Sequence, residues 1–284
     1  MENVYICENT GRLGLFVPLD HPQVVQPRPA HFIYPKLLAR IERDALATEA
    51  FLSSVEPFTT DLHIMAVKDE RTDDAAPFWS NGYFSGDDAR LAYGYVASGL
   101  PKLITEVGSG NSTKFMRLAI SAYGLTTKIL SIDPVPRADI DSLVDEVIRS
   151  SVLDVDLAVF DRLEAGDVLF WDGSHIVFNG TDTVRLFLEI LPALKPGVVV
   201  HIHDICLPGE YIDSFDGRGY SEQYMLAAAL LFGDIWEVLA PVCHLCAAGR
   251  LGHGGVSFWM RRRDVAGVAP ARLVFGRGGT KSSM

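Results

Sequence analysis

Residues 103 to 133 follow an order that few architectures accept. The apolar run Leu103-Ile104-Thr105-Glu106-Val107 leads into Gly108-Ser109-Gly110, Thr113 to Tyr123 has helical spacing, and a second run from Lys128 ends on Asp133. A strand, a tight turn, a helix and another strand in so short a span make a βαβ crossover, which sets the two strands parallel. The alternation continues. Short apolar runs recur near Glu146 to Ile148 and at Asp167 to Trp171, Val198 to Ile202, Trp236 to Pro241 and Gly255 to Arg261. Helical spacing lies between them at Val155 to Leu163, at Thr181 to Leu194 (ended by Lys195-Pro196-Gly197) and at Ser221 to Phe232. Asp87 to Ser98 reads as a preceding helix with Ser85 as its N-cap. The expected fold is α/β: a doubly wound, mostly parallel, seven-stranded sheet with helices on both faces.

Residues 1–80 read differently. Prolines at 18, 22, 27, 29 and 35 break any long element, then Lys36 to Ser53 carries a helical face of Leu37, Leu38, Ile41, Ala45, Leu46 and Phe51. Lys68 to Asp74 is a charged loop. This N-terminal extension has too little apolar surface to fold alone. It is expected to pack on the main domain (81–264) as a lid, a substrate wall or a contact between copies of a homo-oligomer. Residues 265–284 form a Gly- and Ala-rich tail whose last residues are expected to be disordered.

Charge and hydropathy restrict the partners. With 25 Lys and Arg against 36 Asp and Glu the net charge is −11, and the only basic run is Arg261-Arg262-Arg263. Nucleic-acid binding normally needs clustered cations, so a small-molecule or peptide substrate is expected. Mean hydropathy is +0.17, yet no apolar stretch approaches the roughly 20 residues of a membrane helix. Met1-Glu2-Asn3 does not begin a signal peptide, and a cytoplasmic protein is expected. Cys243-His244-Leu245-Cys246 has the spacing of half a zinc site, but Cys7 and Cys206 are isolated, so free thiols are expected.

In a doubly wound sheet, ligands sit beyond the carboxyl ends of the strands where strand order reverses. The turn Gly108-Ser109-Gly110-Asn111-Ser112 suits that place, and Asp133, ending the next strand, can accept hydrogen bonds from both hydroxyls of a ribose. A dinucleotide turn wants a third small residue where this chain has Thr113, and it must also cradle a pyrophosphate. Glu106, two residues before the first glycine, would repel that group and attract a cation instead.

The stretch from Glu106 to Thr113 resembles motif I of the class I methyltransferases that use S-adenosylmethionine (SAM). The run Gly166-Asp167-Val168-Leu169-Phe170-Trp171-Asp172-Gly173-Ser174-His175, with Leu194-Lys195-Pro196-Gly197 and His201-Ile202-His203-Asp204-Ile205, is similar to a bacterial subgroup with "DG(S/D)H … LKPGG … HD" strand ends. That subgroup includes many sugar and natural-product O-methyltransferases. The resemblance spans about 81 to 262 and implies a Rossmann-like methyltransferase sheet. SAM would be held by Glu106, Gly108, Ser109, Gly110, Asn111, Ser112, Asp133, Asp172 and Gly173, with Tyr83 covering it.

Methyl transfer needs alignment of the partners and removal of the acceptor's proton. His175 is the first candidate for general base and His203 the second, with Asp204 beside them. The subgroup also implies a divalent metal at these strand ends, for which Asp172, Asp204 and His203 are the candidates. Imidazole in the set favours iron, manganese or zinc over magnesium. Asp172 serves equally as a turn cap or a partner of the SAM amino group. His201 and His253 read as structural histidines, Phe84 as packing, and Glu210 and Tyr211 as residues within reach of a substrate. The expected function is methyl transfer to an oxygen, or less readily a nitrogen, of a small polar metabolite, sugar or natural product. The competing readings are an NAD(P)-dependent oxidoreductase, a non-catalytic SAM-fold partner protein and, more distantly, an iron-dependent oxygenase.

Overall fold

The computed structural model describes residues 28–215 and 217–265, together with two short strands, β1 (Val4–Ile6) and β2 (Leu13–Leu15), paired as an antiparallel ribbon. The expectations for Cys7, for the prolines at 18, 22 and 27 and for the end of the tail fall outside the described residues.

Seven strands form the main sheet: β3 (Leu103–Val107), β4 (Lys128–Ile132), β5 (Glu146–Ile148), β6 (Val168–Trp171), β7 (Val199–Ile202), β8 (Trp236–Pro241) and β9 (Phe258–Arg262). Their order is β5-β4-β3-β6-β7-β9-β8, all parallel except β9, which runs antiparallel to both neighbours. The chain winds outward from β3 to β5 and then returns to place β6 on the other side of β3. The switch point therefore lies at the carboxyl ends of β3 and β6, where Gly108 and Asp172 follow.

Side-chain alternation separates two cores. Leu103, Val107, Leu130, Ile132, Leu169, Trp171, Val200 and Ile202 face one way. They pack with α1 (Pro35–Glu42), α8 (Glu222–Phe232) and a composite helix of α6 (Asp182–Arg185), a π turn (Leu186–Ile190) and α7 (Leu191–Ala193). Ile104, Ile129, Val168, Phe170, Val199 and Trp259 face the other way. They meet α2 (Ala45–Thr59), α4 (Gly86–Gly99), α5 (Asn111–Ala122) and α9 (Val242–Ala247). A short α3 (Leu62–Met65) follows α2. Such period-two division is what a sheet covered on both faces requires.

Some local expectations change. The helical stretch from 36 to 53 breaks at Arg43-Asp44, because Asp44 is buried by Arg40 (2.9 Å), Arg263 and the backbone N–H of Val238 (2.9 Å). The break resets the helical phase, so Leu37, Ile41 and Phe51 are buried while Leu46 is 87% exposed. Residues 155–163 form a 3-10 turn over Leu157–Arg162 rather than an α-helix. Cys243 and Cys246 lie on α9, and Cys206, Cys243 and Cys246 are free thiols.

Candidate functional site

The turn after β3 is built by close approach of two backbones. Gly108 has φ 80°, and a β-carbon there would collide with the carbonyl of Asp172 at the end of β6. The Ser109 N–H donates to Asp133 Oδ2 at 2.9 Å, and the Ser109 and Ser131 hydroxyls pair at 2.6 Å. Asp133 Oδ1 also accepts the Val135 N–H at 2.8 Å. Each oxygen keeps a lone pair for a ligand. Gly110 differs from Gly108: a β-carbon there would meet only open space.

Glu106 does not face this space. Alternation along β3 points it with Ile104 toward α5, where it is fully buried and accepts the Ser112 and Thr113 hydroxyls at 2.6 Å each. Burial, aided by the charges of Asp172 and Asp133, pushes its carboxyl up to about 8 despite those bonds. Glu106, expected to place negative charge near a bound cation, thus holds the turn from beneath through Ser112 and Thr113. Ser112 is spent on the same bond, while Asn111 begins α5 and reaches the edge of the turn.

Two cavities meet at the end of β6. One of about 490 Å³ runs along the turn past Asp133 to Asp182. The other, about 610 Å³, is floored by His175, His203 and Asp204 and ringed by Tyr83, Phe215 and Tyr220. Both are lined by Asp172, Gly173, Ser174 and Arg137. Gly173 is required where they join, since a β-carbon would press on Asp182 and the Trp171 indole. Tyr83, 63% exposed, lines both the second cavity and a small cleft over Gly108, Ser109 and Gly110.

The floor is a cluster of carboxylates around two imidazoles. His175 Nδ1 is 2.9 Å from Glu222 Oε2, and its Nε2 is 3.0 Å from Asp172 Oδ1 and 3.4 Å from Asp204 Oδ2. His203 Nδ1 lies 3.3 Å from Asp204 Oδ1 and 3.9 Å from Asp172 Oδ1, with Nε2 3.4 Å from Asp88 Oδ2. Ligand atoms of Asp172, His203 and Asp204 all fall within 4.8 Å of one another. His175 and Asp204 adopt left-handed φ values of 61° and 55°, a conformation costing about 1–3 kcal/mol that clusters at functional sites. The His175 carbonyl is pinned by the N–H groups of Ser221 (2.8 Å) and Glu222 (3.1 Å) at the start of α8.

These contacts outweigh desolvation. Burial alone would lower both histidines. The bonds and charges of Asp172 and Glu222 instead hold His175 well above its ordinary range, and those of Asp88, Asp172 and Asp204 raise His203 to about 9. Asp172, although desolvated, is drawn down to about 2 by the His175 bond and the neighbouring imidazoles. Both imidazoles are thereby biased toward their protonated form.

Asp88 and Glu222 are functional-site residues that the sequence did not single out. Both lie in first helical turns, where an acid reads as a capping or dipole residue. Asp88 also accepts the N–H groups of Val256 and Ser257. His201 is fully buried, stacked on Phe170 at 3.7 Å and bonded to Ser257 at 2.9 Å. Glu210, expected near a substrate, is engaged by Tyr34 (2.9 Å), Gln223 (3.2 Å) and Tyr224, and Tyr211 accepts the Gln223 N–H. No helix among the described residues is long and apolar enough to cross a membrane.

Residues 105–205 match the family model of a methyltransferase domain. No curated protein matches the chain at a significant level. Among solved structures, the SAH-bound methyltransferase PaMTH1 of Podospora anserina is 13% identical, covering 88% of this chain and 100% of its own, with a TM-score of 0.43. An O-methyltransferase from Bacillus cereus in complex with SAH is 14% identical over 80% and 100% of the two chains, with a TM-score of 0.38. The SAH form of cmcI-N160 is 16% identical over 86% and 98%, with a TM-score of 0.38. At these identities the likeness concerns the fold alone.

Proposed function

We propose that this chain, whose residues 105–205 match a methyltransferase domain, is a class I enzyme that moves a methyl group from SAM to an oxygen of a small polar acceptor. The observation carrying this reading is the pair of cavities joined at Asp172-Gly173-Ser174, one shaped for the donor and one for the acceptor. SAM supplies a methyl carbon already activated by the sulfonium. Asp133 would accept the ribose hydroxyls, Gly110 would let the nucleoside approach the backbone, Gly108 lets the turn close on the Asp172 carbonyl, and the Asp172 carboxylate would favour the positive sulfur. Among the described residues the donor cleft is lined by Asp133, Asp172 and Asp182 with Arg137 as its one cation, a lining that favours a sulfonium and opposes the diphosphate of a nicotinamide cofactor.

The acceptor oxygen gives its proton to neutral His175 and takes the methyl group, while the carbon–sulfur bond breaks and its electron pair stays on sulfur. Glu222 stabilises the imidazolium so formed. The surrounding carboxylates keep the neutral fraction of His175 small near pH 7, so proton acceptance improves as pH rises.

The floor also suits a divalent cation, held by Asp172, Asp204 and His203. The His203 Nδ1 faces both acids, and its Nε2 lies 3.4 Å from Asp88 Oδ2, a carboxylate on the side where a metal-binding imidazole is usually oriented. Four carboxylates (Asp88, Asp172, Asp204, Glu222) surround two imidazoles, leaving negative charge for such an ion to balance. Bound there, it would acidify the acceptor hydroxyl.

The test is incubation with SAM and a panel of hydroxylated metabolites, reading SAH release. Turnover that His175→Ala abolishes while SAM binding persists supports the reading. A melting shift with NADH and none with SAH contradicts it.

A further inference from the structure

The acceptor cavity is lined by carboxylates, among them Asp172 and Asp204, and also by the guanidinium groups of Arg137 and Arg218. The Arg218 guanidinium lies 5.2 Å from the Phe215 ring centre and 5.6 Å from that of Tyr220, and donates to the Tyr220 hydroxyl at 3.3 Å. The Arg137 guanidinium lies 5.4 Å from the Tyr83 ring centre. Neither arginine has a carboxylate partner among the described residues. Arginines stacked on rings keep their in-plane N–H donors free, and their planar fork matches a carboxylate or phosphate. In a chain with net charge −11, cations that line a ligand cavity with no acidic partner among the described residues are unexpected as solvation alone.

We propose that the acceptor is an anionic aromatic compound: its acidic group is read by Arg218 and Arg137, and its methyl-accepting hydroxyl points to the floor. This rests on the methyltransferase reading of the same site. Phe215 and Tyr220, whose rings lie 5.4 Å apart, supply an apolar wall for the ring. A cavity of about 610 Å³ holds such a molecule, within the usual range of about 300–1,000 Å³ for small-ligand sites. The transfer itself is unchanged: the hydroxyl proton leaves, an O–CH₃ bond forms and the carbon–sulfur electrons remain on sulfur.

Calorimetry on the full chain saturated with SAH tests this, using 3,4-dihydroxybenzoate and 3,4-dihydroxyphenylacetate, each against its methyl ester. The expected result is that at least one acid binds at least ~10-fold more tightly than its ester. Arg218→Ala should remove that preference without moving ester affinity, and Arg218→Lys should restore it in part. Esters binding as tightly as acids, no binding by any of the four compounds, or an acid preference that survives Arg218→Ala would each overturn the proposal while leaving the SAM site intact. Failure of SAH itself to bind would instead bring down the methyltransferase reading on which it rests.

Discussion

The His175 Nδ1 lies 2.9 Å from Glu222 Oε2, joining the loop after β6 to the first turn of α8. Glu222 is fully buried and its other carboxylate oxygen has no partner. A buried acid so placed fixes the imidazole orientation, and Nε2 is thereby aimed at Asp172 and Asp204.

If Glu222 acts through His175, their effects on rate do not add. His175→Ala and Glu222→Ala are each expected to lower kcat by about 100-fold or more, with SAH affinity within about twofold of the parent. The double variant should be no slower than His175→Ala. Additive losses measured in a double-mutant cycle would show two independent roles.

The two glycines of the turn separate folding from binding. Gly108→Ala drives a methyl into the Asp172 backbone and is expected to lower the melting temperature. Gly110→Ala has open space in the ligand-free chain. It should melt with the parent yet bind SAH at least ~10-fold more weakly, because the methyl occupies the ligand's approach. Thermal scans with and without SAH decide this, and parental affinity in Gly110→Ala would mean that the nucleoside lies elsewhere.

Much of this site was legible because strand ends are. Gly108, Asp133, Asp172, His175, His203 and Asp204 follow recognisable apolar runs, and a parallel sheet brings such positions to one edge. The sequence placed Glu106 before the turn, but its bonds to the Ser112 and Thr113 hydroxyls follow from alternation, which turns residue 106 under α5. Asp88 and Glu222 come from helices remote in sequence, and only packing brings them to the imidazoles. Arg137 and Arg218 sit in irregular loops with no periodicity to interpret. The break at Asp44 likewise depends on Arg263, more than two hundred positions away.

Burial of Glu106 should appear in the pH dependence of stability. Its carboxyl titrates near 4.5 when unfolded and at about 8 when folded. Between those values the folded chain retains a proton that the unfolded chain releases, so this group lowers stability as pH rises. The loss is on the order of a few kcal/mol by pH 8. Glu106→Gln should flatten that slope in denaturant titrations from pH 5 to 8. A slope identical to the parent's would show that Glu106 is ionised in the fold.

A divalent ion is expected to raise the melting temperature, with manganese, iron(II) or zinc more effective than magnesium because His203 is in the donor set. Asp204→Asn should remove the shift. Equal shifts in parent and variant would place the ion away from Asp172, His203 and Asp204.

The account depends most on the nucleoside lying across the turn after β3, against Asp133. Isothermal calorimetry with SAH tests this directly on the parent chain and on Asp133→Ala. One-to-one binding is expected in the parent, weakened at least ~10-fold in the variant, as loss of hydrogen bonds to a charged group implies. No heat in the parent, or equal affinity in both, would contradict it.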